Sequence, residues 1–156
     1  MKFYFPVFMA IVLLASSLIP PAKAESLPQP LVEMIARAKA RIKTIDMATF
    51  KKIVDSKQHG QIIDVREVSE YNAGHIPGAM NIPRGVIEFR IWALVGYGEK
   101  MKKDMELILY CSSGSRCSLA ARSLKELGLT NVTAVDMKLS NWQDAGYPLT
   151  ETELPF

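Results

Sequence analysis

Cysteine and histidine are scarce, with two of each in 156 residues. Two cysteines cannot make a disulfide framework. With no C-x-x-C pair and so few histidines, a structural zinc site is excluded as an expectation. No charge of one sign dominates: 19 Lys and Arg face 16 Asp and Glu, a net of +3. Nine glycines and nine prolines, neither periodic, exclude a collagen-like chain. What the sequence does have is apolar content, 49% of residues, in a length that suits one domain.

The first 24 residues hold Lys2 and Lys23 and no acidic residue. Without them the chain has 17 basic and 16 acidic residues, close to neutral. A near-neutral domain lacks the electrostatic footprint of a nucleic-acid or anionic-membrane binder, so neither partner is expected. Met1-Lys2 begins the segment, Phe3 to Ile19 is almost wholly apolar, and Ala22-Lys23-Ala24 follows Pro20-Pro21. A basic start, an apolar stretch and small residues at A-x-A read as a signal peptide over residues 1–24. A seventeen-residue, largely apolar run interrupted by Pro6 fits a cleaved signal better than a spanning anchor. The expected location after cleavage is the periplasm or outside the cell, with no stable membrane association.

Residues 25–44 read as a linker and a helix, with Leu31, Ile35, Ala38 and Ile42 on one face from Leu31 to Lys43. Asp46 is a natural N-cap for a second helix bearing Phe50, Ile53 and Val54, which His59-Gly60 ends. Ile62-Ile63-Asp64-Val65, Leu107-Ile108-Leu109-Tyr110 and Val132 to Val135 are short apolar runs, as buried strands are. Met80-Asn81 belongs to a further short strand, closed by Pro83, and Val68 to Ala73 makes one or two helical turns. Helical patterns cover Val86 to Val95, Cys117 to Leu127 with Gly128 at its end, and a last turn near Trp142. Strands alternating with helices predict a three-layer α/β domain with a mostly parallel central sheet.

The strongest chemical signal is the strand–Cys111–loop–helix unit. Ligands of open parallel sheets bind beyond the carboxyl ends of the strands, where Cys111 stands. A helix follows within a few residues, and its first N–H groups are unpaired and partly positive. The amides of Ser112, Ser113, Gly114, Ser115, Arg116 and Cys117 can converge on the Cys111 sulfur. Such a cradle stabilises a thiolate, or a persulfide anion built on it.

Asp64-Val65-Arg66, Gly74-His75-Ile76-Pro77-Gly78-Ala79-Met80-Asn81-Ile82-Pro83 and Cys111-Ser112-Ser113-Gly114-Ser115-Arg116 resemble rhodanese-family segments. Trp142-Gln143-Asp144-Ala145-Gly146-Tyr147-Pro148 does so too, and order and spacing agree from about Ile45 to Leu149. The resemblance implies a rhodanese-like domain over residues 45–150, followed by a tail at 151–156. It implies a sulfurtransferase in which Cys111 takes sulfane sulfur from a donor such as thiosulfate. The resulting persulfide passes sulfur to cyanide or a thiol, with no cofactor and no metal. The alternatives are a sulfur-carrier or interaction module serving a partner protein and, ranked last, a two-cysteine thiol oxidoreductase. Related phosphatases place five residues between Cys and Arg. Here four residues separate Cys111 from Arg116, and Cys117 stands where that Arg would be.

Arg116 is expected to hold an anionic donor or persulfide, because its charge is unfavourable at a helix N-terminus without another reason. Asp64 and Arg66 are expected to form a structural pair, and His75 to shape its loop. Arg84 and Arg90 are candidates for a sulfonate or sulfate head. Met137, Trp142 and Tyr147 read as core. Cys117 reads as a small helix-start residue, since a disulfide to Cys111 requires Cα atoms within ~7 Å. The family's usual Gly-Gly before the tryptophan is replaced by Met137-Lys138-Leu139-Ser140-Asn141.

Overall fold

A computed structural model describes residues 27–57 and 60–152. The signal-peptide expectation and His59 therefore lie outside the described residues. Among the described residues, no helix is long and apolar enough to cross a membrane.

Five strands form one parallel sheet: β1 (Lys43–Ile45), β2 (Gln61–Asp64), β3 (Met80–Asn81), β4 (Leu107–Tyr110) and β5 (Val132–Val135). Their order is β1-β5-β4-β2-β3, which puts β4 at the centre. Every residue of β4 and β5 is buried, as expected of parallel strands covered on both faces. The helices are α1 (Gln29–Lys39), α2 (Met47–Ser56), α3 (Val68–Asn72), α4 (Ile87–Arg90), α5 (Trp92–Val95), α6 (Ser115–Glu126) and α7 (Leu139–Asp144).

The two-residue period of the strands sorts the core into two halves. Ile63, Val65, Leu107, Leu109 and Cys111 pack with Ile87, Ile91, Ala120, Ala121 and Leu124, on the α4–α6 side. Ile62, Ile108 and Tyr110 pack with Phe50, Met137 and Trp142 under α2 and α7. Each fully buried Ile or Leu contributes ~1.5–3 kcal/mol against exposure. This alternation aims the Cys111 side chain at α6. Trp142 and Met137 are buried and Tyr147 packs against them, as the sequence predicts.

Two local expectations fail. The first helix stops at Lys39, and Lys43–Ile45 pairs in parallel with Thr133–Val135 as the edge strand β1. Two of the three β1 residues are exposed, so no apolar run announced it. The Val86 to Val95 helix is broken into a 3₁₀ turn at Arg84–Val86, then α4 and α5, although Ile87, Ile91 and Val95 keep one buried face. The Asp46 cap is present: its Oδ1 accepts from the Thr49 amide at 2.8 Å. α2 ends at Ser56, with Lys57 in the left-handed region (φ 53°).

α1 lies over α6. Lys39 Nζ reaches Asp136 Oδ1 at 2.6 Å, just beyond β5. Lys125 Nζ donates to the Arg41 carbonyl at 3.1 Å. The N-terminal helix is thereby tied to the edge of the cysteine loop.

Candidate active site

Cys111 follows β4 directly, and α6 begins at Ser115. The chain reverses at Gly114, whose φ is +78°. The conformation requires glycine; a Cβ there would also lie 2.7 Å from Asp136 Oδ1, the end of a half-exposed side chain. The loop is shorter than the sequence indicates, because Ser115 and Arg116 already belong to the first turn of α6. The Ser112 carbonyl accepts from the Leu139 amide at 2.9 Å. The segment that replaces the family's Gly-Gly thus braces the loop from behind.

Cys111 is 1% exposed. The Cys117 amide donates to it at 3.4 Å, and the Cys117 sulfur lies 3.5 Å away. The Cys117 thiol holds the Cys111 thiol down to about 6, from an ordinary value of 9.0; the amides of Cys117, Ser113 and Gly114 add to this against the opposing effect of burial. Cys117 moves the other way. Its bond to Cys111, its burial and the Cys111 charge keep its proton on well above the usual thiol range. One cysteine is thus the thiolate and the other its proton-bearing neighbour. The single Cys117 proton has three acceptors within reach: the Cys111 sulfur, the Gly114 carbonyl at 3.2 Å and the Val135 carbonyl at 3.4 Å.

Arg116 does not face outward as a free cation. Its Nη1 and Nη2 grip Glu70 at 2.6 and 2.8 Å, and Nη2 also donates to the Ser112 hydroxyl at 2.8 Å. This pair lowers the Glu70 carboxyl and raises the Arg116 guanidinium. The Arg116 charge is felt at the thiolate, but Glu70 largely balances it. Glu70 was absent from the sequence expectations. Its N-terminal partner in the chain, Glu67, shares a capping box with it on α3. That local role was the only signal available.

Asp64 and Arg66 form a buried pair, 0% and 5% exposed, with Nη2–Oδ2 at 2.6 Å. Arg66 Nη2 also donates to the Gly74 carbonyl, and Asn81 Nδ2 donates to the Asp64 and Arg66 carbonyls. These bonds tie the ends of β2 and β3 to the Gly74–Gly78 loop, the structural role expected from the sequence. Burial pushes the Tyr110 hydroxyl up, and that hydroxyl accepts from the Ile76 amide.

Residues 46–145 match the rhodanese-like domain family. The chain belongs to that family. YrkF of Bacillus subtilis (strain 168), a candidate sulfur carrier protein, is 36% identical over 101 residues, covering 65% of this chain and 51% of YrkF. YtwF of the same organism, a candidate sulfurtransferase, is 31% identical over 107 residues, covering 69% of this chain and 96% of YtwF. The solved structure of RPA3614 from Rhodopseudomonas palustris CGA009 is of a protein of unknown function described as a candidate tyrosine phosphatase. It superposes with a TM-score of 0.66 at 26% identity, covering 82% of this chain and 99% of that one. The chain spans about half the length of the first curated relatives it matches.

In this rhodanese-like domain the remaining sequence candidates fall away from the sulfur. Arg84 binds Glu88 at 2.9 Å and Ser123 at 3.3 Å, two turns along α6. Arg90 is exposed and lines a surface groove with Met80, Ile82, Phe89 and Tyr97. Neither is placed against residues 111–117: Arg84 faces Ser123 on α6, and Arg90 faces the groove. Ser113 stands exposed at the loop rim, and Ser112 is taken by Arg116. His75 stacks on Tyr71 with ring centroids 3.7 Å apart and bonds the Tyr71 carbonyl through Nδ1, so it shapes its loop. Among the described residues, no group of three or more His, Cys, Asp or Glu could hold a metal ion.

Proposed function

We propose that the protein is an exported sulfurtransferase in which Cys111 carries sulfane sulfur as a persulfide. The observation that carries this reading is the Cys111 thiol, lowered to about 6 and met by the amides of Ser113, Gly114 and Cys117. At neutral pH this residue is a thiolate in an anion cradle, the state needed for nucleophilic attack. The Cys111 thiolate attacks the outer sulfur of thiosulfate, the S–S bond breaks, and sulfite leaves. The persulfide anion then rests against the same amides. Cyanide or a thiolate attacks its outer sulfur and regenerates the Cys111 thiolate, giving thiocyanate or a new persulfide. The composition of residues 1–24 supports export, and the candidate sulfurtransferase YtwF supports the activity.

A second reading is favoured by burial. Cys111 is 1% exposed, and Glu70 occupies Arg116. A partner protein that loads or unloads the cysteine fits a shielded sulfur, in keeping with the sulfur-carrier description of YrkF. Steady-state transfer from thiosulfate to cyanide separates the two. Multiple turnovers that vanish in Cys111→Ser support the free-standing enzyme. A single sulfur loaded and released without turnover supports the carrier. Full transfer by Cys111→Ser overturns both.

A further inference from the structure

Cys117 is buried, proton-bearing and 3.5 Å from the sulfur that would carry the persulfide. Nothing in the transfer cycle just described consumes its thiol. Of the neighbouring hydroxyls, Ser112 is bound to Arg116 at 2.8 Å, and Ser118 donates to the Gly114 carbonyl at 2.6 Å. The alternation of β4 and the inward face of α6 bring the two sulfurs together inside one packed core, so the contact is built into the fold. A disulfide needs the sulfurs at ~2.05 Å, an approach of about 1.5 Å from the 3.5 Å seen here.

We propose that Cys117 resolves the Cys111 persulfide, so that the protein releases its bound sulfur as sulfide when no acceptor takes it. This rests on the sulfurtransferase reading of Cys111. Cys117 sulfur attacks the inner sulfur, Cys111 Sγ. A bond forms between the two cysteine sulfurs, the bond to the outer sulfur breaks, and that sulfur leaves with the electron pair. The Cys117 proton goes to the leaving sulfur. Written in full, Cys111–S–S⁻ and Cys117–SH give Cys111–S–S–Cys117 and HS⁻. The sulfane sulfur is reduced to sulfide, and the two cysteines supply both electrons. The loop amides that held the persulfide anion stabilise the departing one. An external thiol then reduces the disulfide by two exchange steps and restores the pair. The Gly114 and Val135 carbonyls hold the Cys117 thiol in place while Cys111 awaits sulfur.

The test uses the full chain, reduced, freed of thiol and kept anaerobic. Wild type, Cys117→Ser and Cys117→Ala are mixed with thiosulfate or, in parallel, inorganic polysulfide. Intact mass and released sulfide are followed, with a sample lacking donor as control. The expected result is a gain of ~32 Da that persists in both Cys117 variants. In wild type it gives way to a loss of ~2 Da with about one sulfide per chain. The serine variant keeps a donor to the same carbonyls, and the alanine variant guards against any residual hydroxyl chemistry. Wild type holding its added sulfur as long as the variants, without sulfide release, overturns the inference and leaves the sulfurtransferase reading standing. No added sulfur in any protein with either donor, and no mass loss in wild type, overturns that reading, and the inference falls with it.

Discussion

Replacing Cys117 with alanine should raise the pH at which Cys111 becomes reactive. In the native site the thiol of Cys117 is the largest influence lowering Cys111, which titrates at about 6. A hydrogen bond to a charged group is worth ~1.5–3 kcal/mol, and ~1.4 kcal/mol corresponds to a tenfold change in ionisation. Removing it while keeping the Cys117 amide should move the inflection to ~7–8, less if water replaces the thiol. The sign follows from the thiolate being the reactive form: reactivity is present above the inflection and lost as pH falls through it. At pH 7 the thiolate fraction should drop from ~90% to ~10–50%, and the alkylation rate with it. The assay is the rate of iodoacetamide labelling of Cys111 between pH 4.5 and 9.5, read by peptide mass spectrometry. Because Cys111 is buried, the absolute rate will be low and the inflection is the quantity to compare. An inflection unchanged in the variant, or displaced downward, would refute the assignment of Cys117 as the main stabiliser of the thiolate.

Two further substitutions probe the loop and its charge. Gly114→Ala should cost at least ~1–2 kcal/mol from the left-handed backbone, while the Asp136 carboxylate, 2.7 Å from the new Cβ, can swing aside. Thermal unfolding should fall by several degrees, and a Tm unchanged within about one degree would show that the loop is not held at φ +78°. Glu70→Gln should release Arg116 for a dianionic donor while preserving the capping box, lowering the KM for thiosulfate ~2–5-fold at low salt. The gain should shrink as salt rises, and an unchanged KM at every salt concentration would show that Arg116 does not meet the donor.

Much of this arrangement was written in the chain, and the exceptions have physical causes. β2, β4 and β5 are bounded apolar runs buried on both faces, so their composition announces them. β1 is an edge strand with two exposed residues out of three, and no period distinguishes it from the end of a helix. The place of Cys111 beyond β4 followed from strand–loop–helix order. The pairing of Arg116 with Glu70 did not, because 46 positions separate them and only the folded α3 brings them together. The closeness of Cys117 had a readable signal. Leu107, Leu109 and Cys111 share one face of β4, while Cys117, Ala120, Ala121 and Leu124 share the inward face of α6. Two cysteines aimed into one interface meet there.

The loop's length and charge argue for a single sulfur over a phosphate. Four residues separate Cys111 from Arg116, and a side chain at Gly114 would run into Asp136, which Lys39 holds from α1. The Ser113, Gly114 and Cys117 amides all bear on one atom, the Cys111 sulfur. A phosphate dianion needs several donors spread over its oxygens and an unencumbered guanidinium, which it would grip in two-pronged fashion. Here Glu70 already holds that fork at 2.6 and 2.8 Å, so a dianion must displace a carboxylate to use it. A persulfide adds one sulfur atom to Cys111 and keeps the single negative charge of the thiolate, which the loop amides already face, without opening the Arg116–Glu70 pair. The description of RPA3614 as a candidate phosphatase thus stays with that protein. In this chain the likeness extends to the fold, while the short loop and the occupied arginine argue for sulfur.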